Sequence, residues 1–136
     1  MENLAFTIHL AEEYETAIET VTAALKEEGF GVLTEIDVKA TLKKKIGADF
    51  RKYAILGACN PPLAHKALQS EPLIGLLLPC NVTVEETENG TMVNMVNPKT
   101  LLLSNPATAE IPELVEVATD AYDRLNRVSE ALHQKG

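Results

Sequence analysis

Glu88-Asn89-Gly90-Thr91 joins two runs that read as strands, Gly75 to Glu86 before it and Met92 to Asn97 after it. Asn-Gly between such runs specifies a two-residue type I′ hairpin, because both central positions need a positive φ that asparagine and glycine tolerate. Two adjacent antiparallel strands are therefore predicted, and the remaining elements must arrange around them. Gly75 to Glu86 is nearly all apolar at its start, the pattern of a strand covered on both faces.

Upstream, Leu4, Phe6, Ile8 and Leu10 alternate with polar Thr7 and His9, the period of a half-buried strand. Tyr14, Ala17, Ile18, Val21, Ala24 and Leu25 then recur at helical spacing, with Glu12, Glu13 and Glu15 where a helix dipole favours acids. Gly29 and Gly31 stop this helix. A second strand follows, expected to turn Val32, Thr34, Ile36 and Val38 to one face and Leu33, Glu35 and Asp37 to the other. The basic segment after it reads as a short helical turn ending near Gly47, and Arg51 to Cys59 as a third strand. Asn60-Pro61 starts a short helix through Leu63, Ala64, Ala67 and Leu68, since asparagine caps well and proline is preformed for the first helical position. A proline-containing connection from Asn97 to Ala109 leads to a last helix whose stripe runs from Ile111 through Leu114, Ala118 and Leu125 to Leu132.

The order is β-α-β-β-α-β-β-α. It specifies an α+β fold, an antiparallel sheet of about five strands with two long helices packed on one face. The other face is expected to carry Leu33, Glu35, Asp37 and His9, half apolar and half charged, and so to suit a groove or a dimer interface.

With 136 residues, 46% hydrophobic and 24% charged, the chain has the length of one domain (1–136) and the make-up of a globular core, which excludes a disordered polymer. Apolar runs such as Leu73 to Leu78 are far short of a membrane span. Met1 to Leu10 lacks the pattern of a secretory signal, and two cysteines without one point to reduced thiols and a cytoplasmic setting. A net charge of −8 and the lack of tryptophan argue against nucleic acid as a partner. The charge is uneven, however. Lys39, Lys43, Lys44, Lys45, Arg51 and Lys52 lie in one short segment with a single acid, Asp49. Such a patch can steer an anion or simply face solvent.

Chemistry-bearing residues are few. Cys59 precedes Asn60 at the start of a helix, a position that stabilises a thiolate. Pro61 and Pro62 remove two amide donors that an anion cradle would use. His65 lies one turn on, and Cys59, His65 and Cys80 are the candidate metal ligands, with zinc the fitting ion. Glu35 and Asp37, two residues apart on one strand, are paired carboxylates suited to acid-base work or to a cation. There is no Gly-x-Ser-x-Gly and no glycine-rich phosphate loop.

Three blocks carry a family likeness: Gly29 to Leu42, Leu56 to Ala64, and Leu76 to Val82. In this order they resemble the bacterial and archaeal family called domain of unknown function 302, over roughly residues 4 to 132. The resemblance implies a TBP-like sheet with helices on one side. It also marks Glu35, Asp37, Lys39, Cys59, Asn60, Pro61, His65, Cys80 and Asn81, of which Glu35, Asp37, Lys39, Asn60 and Asn81 are candidate contacts for a small ligand. It names no reaction. Three functions are therefore carried forward: a small-molecule or metal-binding module, a homodimeric scaffold pairing through the outer sheet face, and a thiol enzyme with Cys59 as nucleophile and His65 as base.

Overall fold

The structure is a computed structural model and describes residues 3–135. Five strands, β1 (Ala5–Leu10), β2 (Gly31–Asp37), β3 (Tyr53–Cys59), β4 (Cys80–Thr87) and β5 (Gly90–Val96), form one antiparallel sheet in the order β1-β5-β4-β3-β2. The two long helices, α1 (Tyr14–Glu27) and α6 (Pro112–Lys135), pack on one face of it. Shorter helices α2 (Val38–Ile46), α3 (Pro61–Ser70), α4 (Pro98–Leu103) and α5 (Pro106–Ala109) fill the connections. The α+β class and the antiparallel sheet are those expected from the sequence.

Strand alternation decides which side chains reach the core. The rows Phe6–Met95–Val82–Leu56 and Ile8–Val93–Val84–Ala54 run across the sheet under the helices, and all but half-buried Phe6 are at most 1% exposed. Ala17, Val21 and Leu25 of α1 and Leu125, Val128 and Leu132 of α6 close this core. A second, smaller cluster gathers Ala67, Ile74, Leu102, Leu114, Val117 and Ala118 where α3, α4 and the first half of α6 meet.

Four expectations are corrected. The apolar stretch from Gly75 is not the start of a strand. Pro72–Leu77 is a 3-10 segment, opened by the Glu71 carboxylate accepting from the Leu73 amide at 2.9 Å, and β4 begins only at Cys80. Leu73 and Leu76 stand 68% and 82% exposed, so a run of leucines there does not mark a doubly covered strand.

The faces of β2 are also reversed from Thr34 onward, while Val32 packs against the core as expected. Val32 pairs with Ala58, Thr34 with Gly57 and Glu35 with Leu56, which leaves Leu33 as a β-bulge. One inserted residue shifts the alternation by one. Glu35 and Asp37 thus extend the helix-side rows, while Thr34 and Ile36 lie on the open face, and Val38 already belongs to α2.

The hairpin between β4 and β5 is present, but Glu88 and Asn89 are its loop residues and neither has a positive φ. Type I′ is therefore excluded. Gly90 takes the positive φ, 141°, and a Cβ there would run into the Leu10 carbonyl. Finally, the connection after β5 contains α4 and α5, each opened by an Asn-Pro pair whose asparagine caps the helix.

Candidate functional site

β3 ends at Cys59, Asn60 turns the chain, and α3 starts on Pro61 and Pro62. The Asn60 side chain accepts from the Leu63 amide at 3.3 Å and donates to the Glu28 carbonyl at 3.4 Å. The same carbonyl accepts from Arg124 Nη1 of α6 at 3.0 Å, and Arg124 Nε is held by Asp120 at 2.7 Å. The turn after α1 makes this junction possible. Gly29 donates to the Lys26 carbonyl and Phe30 to that of Leu25, the paired bonds of a Schellman motif, with Gly29 at φ 84°. A Cβ at Gly29 would lie 2.9 Å from Asn60 Nδ2, so only glycine lets the asparagine dock.

Behind this junction lies a cavity of about 240 Å³. Phe30, Ala58 and Ala121 contribute from the main core, and Ala67, Leu102 and Val117 from the smaller cluster. The cavity therefore occupies the seam between the two. Leu63, Ala64 and Leu68 of α3 close one wall, and Leu78 and Pro79, leading into Cys80 of β4, close another. Small alanines on α3 and α6 leave the space that larger side chains would fill.

Cys59 and Cys80 both border this cavity. Cys80 is 7% exposed, and burial, reinforced by nearby Cys59, pushes its thiol up to about 11. Burial raises the Cys59 thiol as well. This runs against the thiolate expected at the helix start: burial favours the neutral thiol at both sulfurs. His65 is exposed on α3 and does not line the cavity. Among the described residues no group of three or more His, Cys, Asp or Glu is arranged to hold a metal ion. Cys59 and Cys80 supply two sulfurs of the four ligands that a closed zinc site needs.

The other marked residues lie elsewhere. Glu35 is exposed at the sheet edge, and Asp37 caps α2 by accepting from the Ala40 amide at 2.9 Å. Burial first, then the Asp37 and Glu35 carboxylates, push the Tyr14 phenol up to about 12, consistent with both acids standing on the helix side. Lys39 donates to the Phe50 carbonyl at 2.9 Å. Lys43 pairs with Asp49, Arg51 with Glu85 and Lys52 with Glu15, so much of the basic segment ties α2 and β3 to their neighbours. Asn81 is exposed on the open sheet face. Of the marked residues, only Cys59, Asn60 and Cys80 border the cavity. The sequence reading missed Phe30, Leu102, Val117 and Ala121. Only the alanines at helical spacing on α3 hinted at them.

No helix among the described residues is long and apolar enough to cross a membrane. Among curated proteins, none matches the chain. The crystal structure of an uncharacterized conserved protein DUF302 from Bacillus stearothermophilus is similar, 32% identical, with a TM-score of 0.80 over 95% of this chain and 98% of that one. The family model described as "Domain of unknown function DUF302" matches residues 6–132, and the chain belongs to that family.

Proposed function

We propose that this protein is a binding module for a small, predominantly apolar organic molecule held in the seam cavity. The observation that carries the reading is a lining composed almost wholly of aliphatic, aromatic and thiol groups, at a place where two separate clusters meet. The Asn60 amide, the main polar group at the wall, already has both of its ends engaged. A ligand is then selected by shape and apolar area rather than by charge. An apolar cavity of about 150 Å³ accommodates benzene. At about 240 Å³ this one suits a fused bicyclic ring or a short branched chain.

Neutral thiols favour the same reading over a thiol enzyme. Cys59 lacks an adjacent base, because His65 faces solvent, and its raised pKa works against nucleophilic attack. The chain has no tryptophan, so indole serves as a fluorescent probe without background from indole side chains. Indole emission is expected to shift to the blue on titration with the protein. Ala64→Leu and Ala121→Leu, which fill the cavity from two walls, are expected to abolish the shift while preserving the circular dichroism spectrum. An unshifted probe, or a shift indifferent to both substitutions, would overturn the proposal.

A further inference from the structure

On the side of the sheet opposite α1 and α6 the described side chains are half-buried or exposed, Gly57 excepted, and they form three cross-strand rows. These are Asn81–Gly57–Thr34 beside the pair Ala5–Val96, then Thr7–Asn94–Thr83–Ile55–Ile36, and His9–Met92–Glu85–Tyr53. In a chain that is 24% charged, Glu85 is the single acid in these rows, and none holds a lysine or arginine. Arg51 neutralises it, with Nη2 and Oε2 2.6 Å apart, while its guanidinium lies over the Phe50 ring at 4.5 Å. A shallow groove of about 460 Å³ runs along the middle of the face, bordered by Thr7, Tyr53, Thr83 and Asn94. The bulge at Leu33 is what makes the face neutral. Without that shift, Glu35 and Asp37 would occupy it.

We infer that this face is an interface with a second copy of the chain. Depletion of charge, rather than bulk hydrophobicity, is what distinguishes the centre of a protein interface. The occupant follows from the charge balance. Two copies each carrying −8 repel one another, and isologous pairing sets a patch against itself, so only a patch without net charge can pair in this way. The size is sufficient. Five strands about 4.8 Å apart and about six residues long give a plane of roughly 24 by 20 Å, or about 500 Å² per copy. Two such faces bury on the order of 1,000 Å², the lower bound for a specific interface. Thr83 lies in the middle row of the central strand, closest to where a two-fold axis would pass.

Light scattering at micromolar concentration is expected to give twice the chain mass of 14.8 kDa. The dimer should tighten as salt is added, since salt screens the repulsion between two copies of net charge −8. Thr83→Lys sets two ammonium groups against each other and is expected to weaken the dimer by roughly a hundredfold or more. Thr16→Lys, on the exposed side of α1, should leave it unchanged. Asn94→Asp preserves side-chain volume and carries the same test should Thr83→Lys fail to fold. A wild-type mass of one chain, or a dimer unaffected by charge on this face, would overturn the inference.

Discussion

Cys80 shows how one buried side chain couples the fold to pH. Its thiol sits at the seam with 7% exposure, and its pKa moves from 9.0 to about 11, by burial first and then by the neighbouring Cys59. Folding therefore favours the protonated thiol. The stabilisation is complete below the unfolded pKa and disappears as pH rises through the folded value, so the window lies between 9.0 and about 11. Two pH units correspond to about 2–3 kcal/mol. Denaturant unfolding of wild type and of Cys80→Ala at the two ends of that window measures it. The wild type is expected to lose about 2–3 kcal/mol more than the variant over the interval, because other groups such as Tyr14 titrate in both proteins. Equal losses would show that Cys80 is solvated. Asn60 is the opposite kind of residue, with both ends of its side-chain amide engaged. The family resemblance marks it as a candidate ligand contact, whereas its side chain caps α3, as Asn-Pro predicts, and holds the end of α1. Its signature in the sequence is the same for either role, and only the distance to Gly29 and Glu28 distinguishes them.

At the scale of elements, local chemistry was legible wherever a residue satisfies backbone groups close to itself. Asn60-Pro61 begins α3, Gly29 ends α1, and the alternation in β1 and the stripe in α6 place their buried faces correctly. What the sequence concealed depends on partners far along the chain. The leucines of Pro72–Leu77 have the composition of a buried strand, but Pro72 and the Glu71 cap close a 3-10 turn before any strand can pair. Leu33 looks like one more step in an alternation, and only pairing with β3 reveals that it is extra. That bulge carries a prediction. Val32 and Thr34 already pair with successive residues, Ala58 and Gly57, so deleting Leu33 leaves every other pair of β2 and β3 in register. Leu33 is 66% exposed, and its removal forfeits little burial. The deletion variant is expected to fold with a stability within about 1 kcal/mol of wild type, as judged by thermal melting. It is also expected to aggregate more readily, since a bulge is a device that blunts an edge strand. A deletion that unfolds the protein would mean that the bulge sets the register rather than interrupting it. The cavity was hidden for the same reason as the bulge, because its walls come from six stretches of chain with no shared motif.

The whole molecule consists of two cores strung on one helix. Seventeen buried residues form the cluster between the sheet and the long helices, and six form the cluster beneath α3, the 3-10 segment and α4. α6 runs through both. Its 24 residues extend about 36 Å, with Leu114, Val117 and Ala118 in the smaller cluster and Ala121, Leu125, Val128 and Leu132 in the larger. Burial of apolar area is the main favourable contribution to folding, so the smaller cluster should open at a lower free energy than the larger. Hydrogen exchange under native conditions tests this at single amides. Amides of α3 and α4 are expected to exchange well before those of β3, β4 and β5. The boundary should also fall inside α6, where Val117 and Ala118 exchange faster than Leu125 and Val128 although all four lie within one continuous helix. End fraying does not produce that pattern, because Val117 is past the first turn. Indole adds a second arm. A ligand seated at the seam touches both clusters, and it should slow exchange in α3, α4 and the first half of α6 while leaving the sheet unchanged. Uniform exchange along α6 would show a single cooperative core and remove the physical reason for a cavity at the seam. Protection that rises equally across the sheet would instead place the ligand elsewhere.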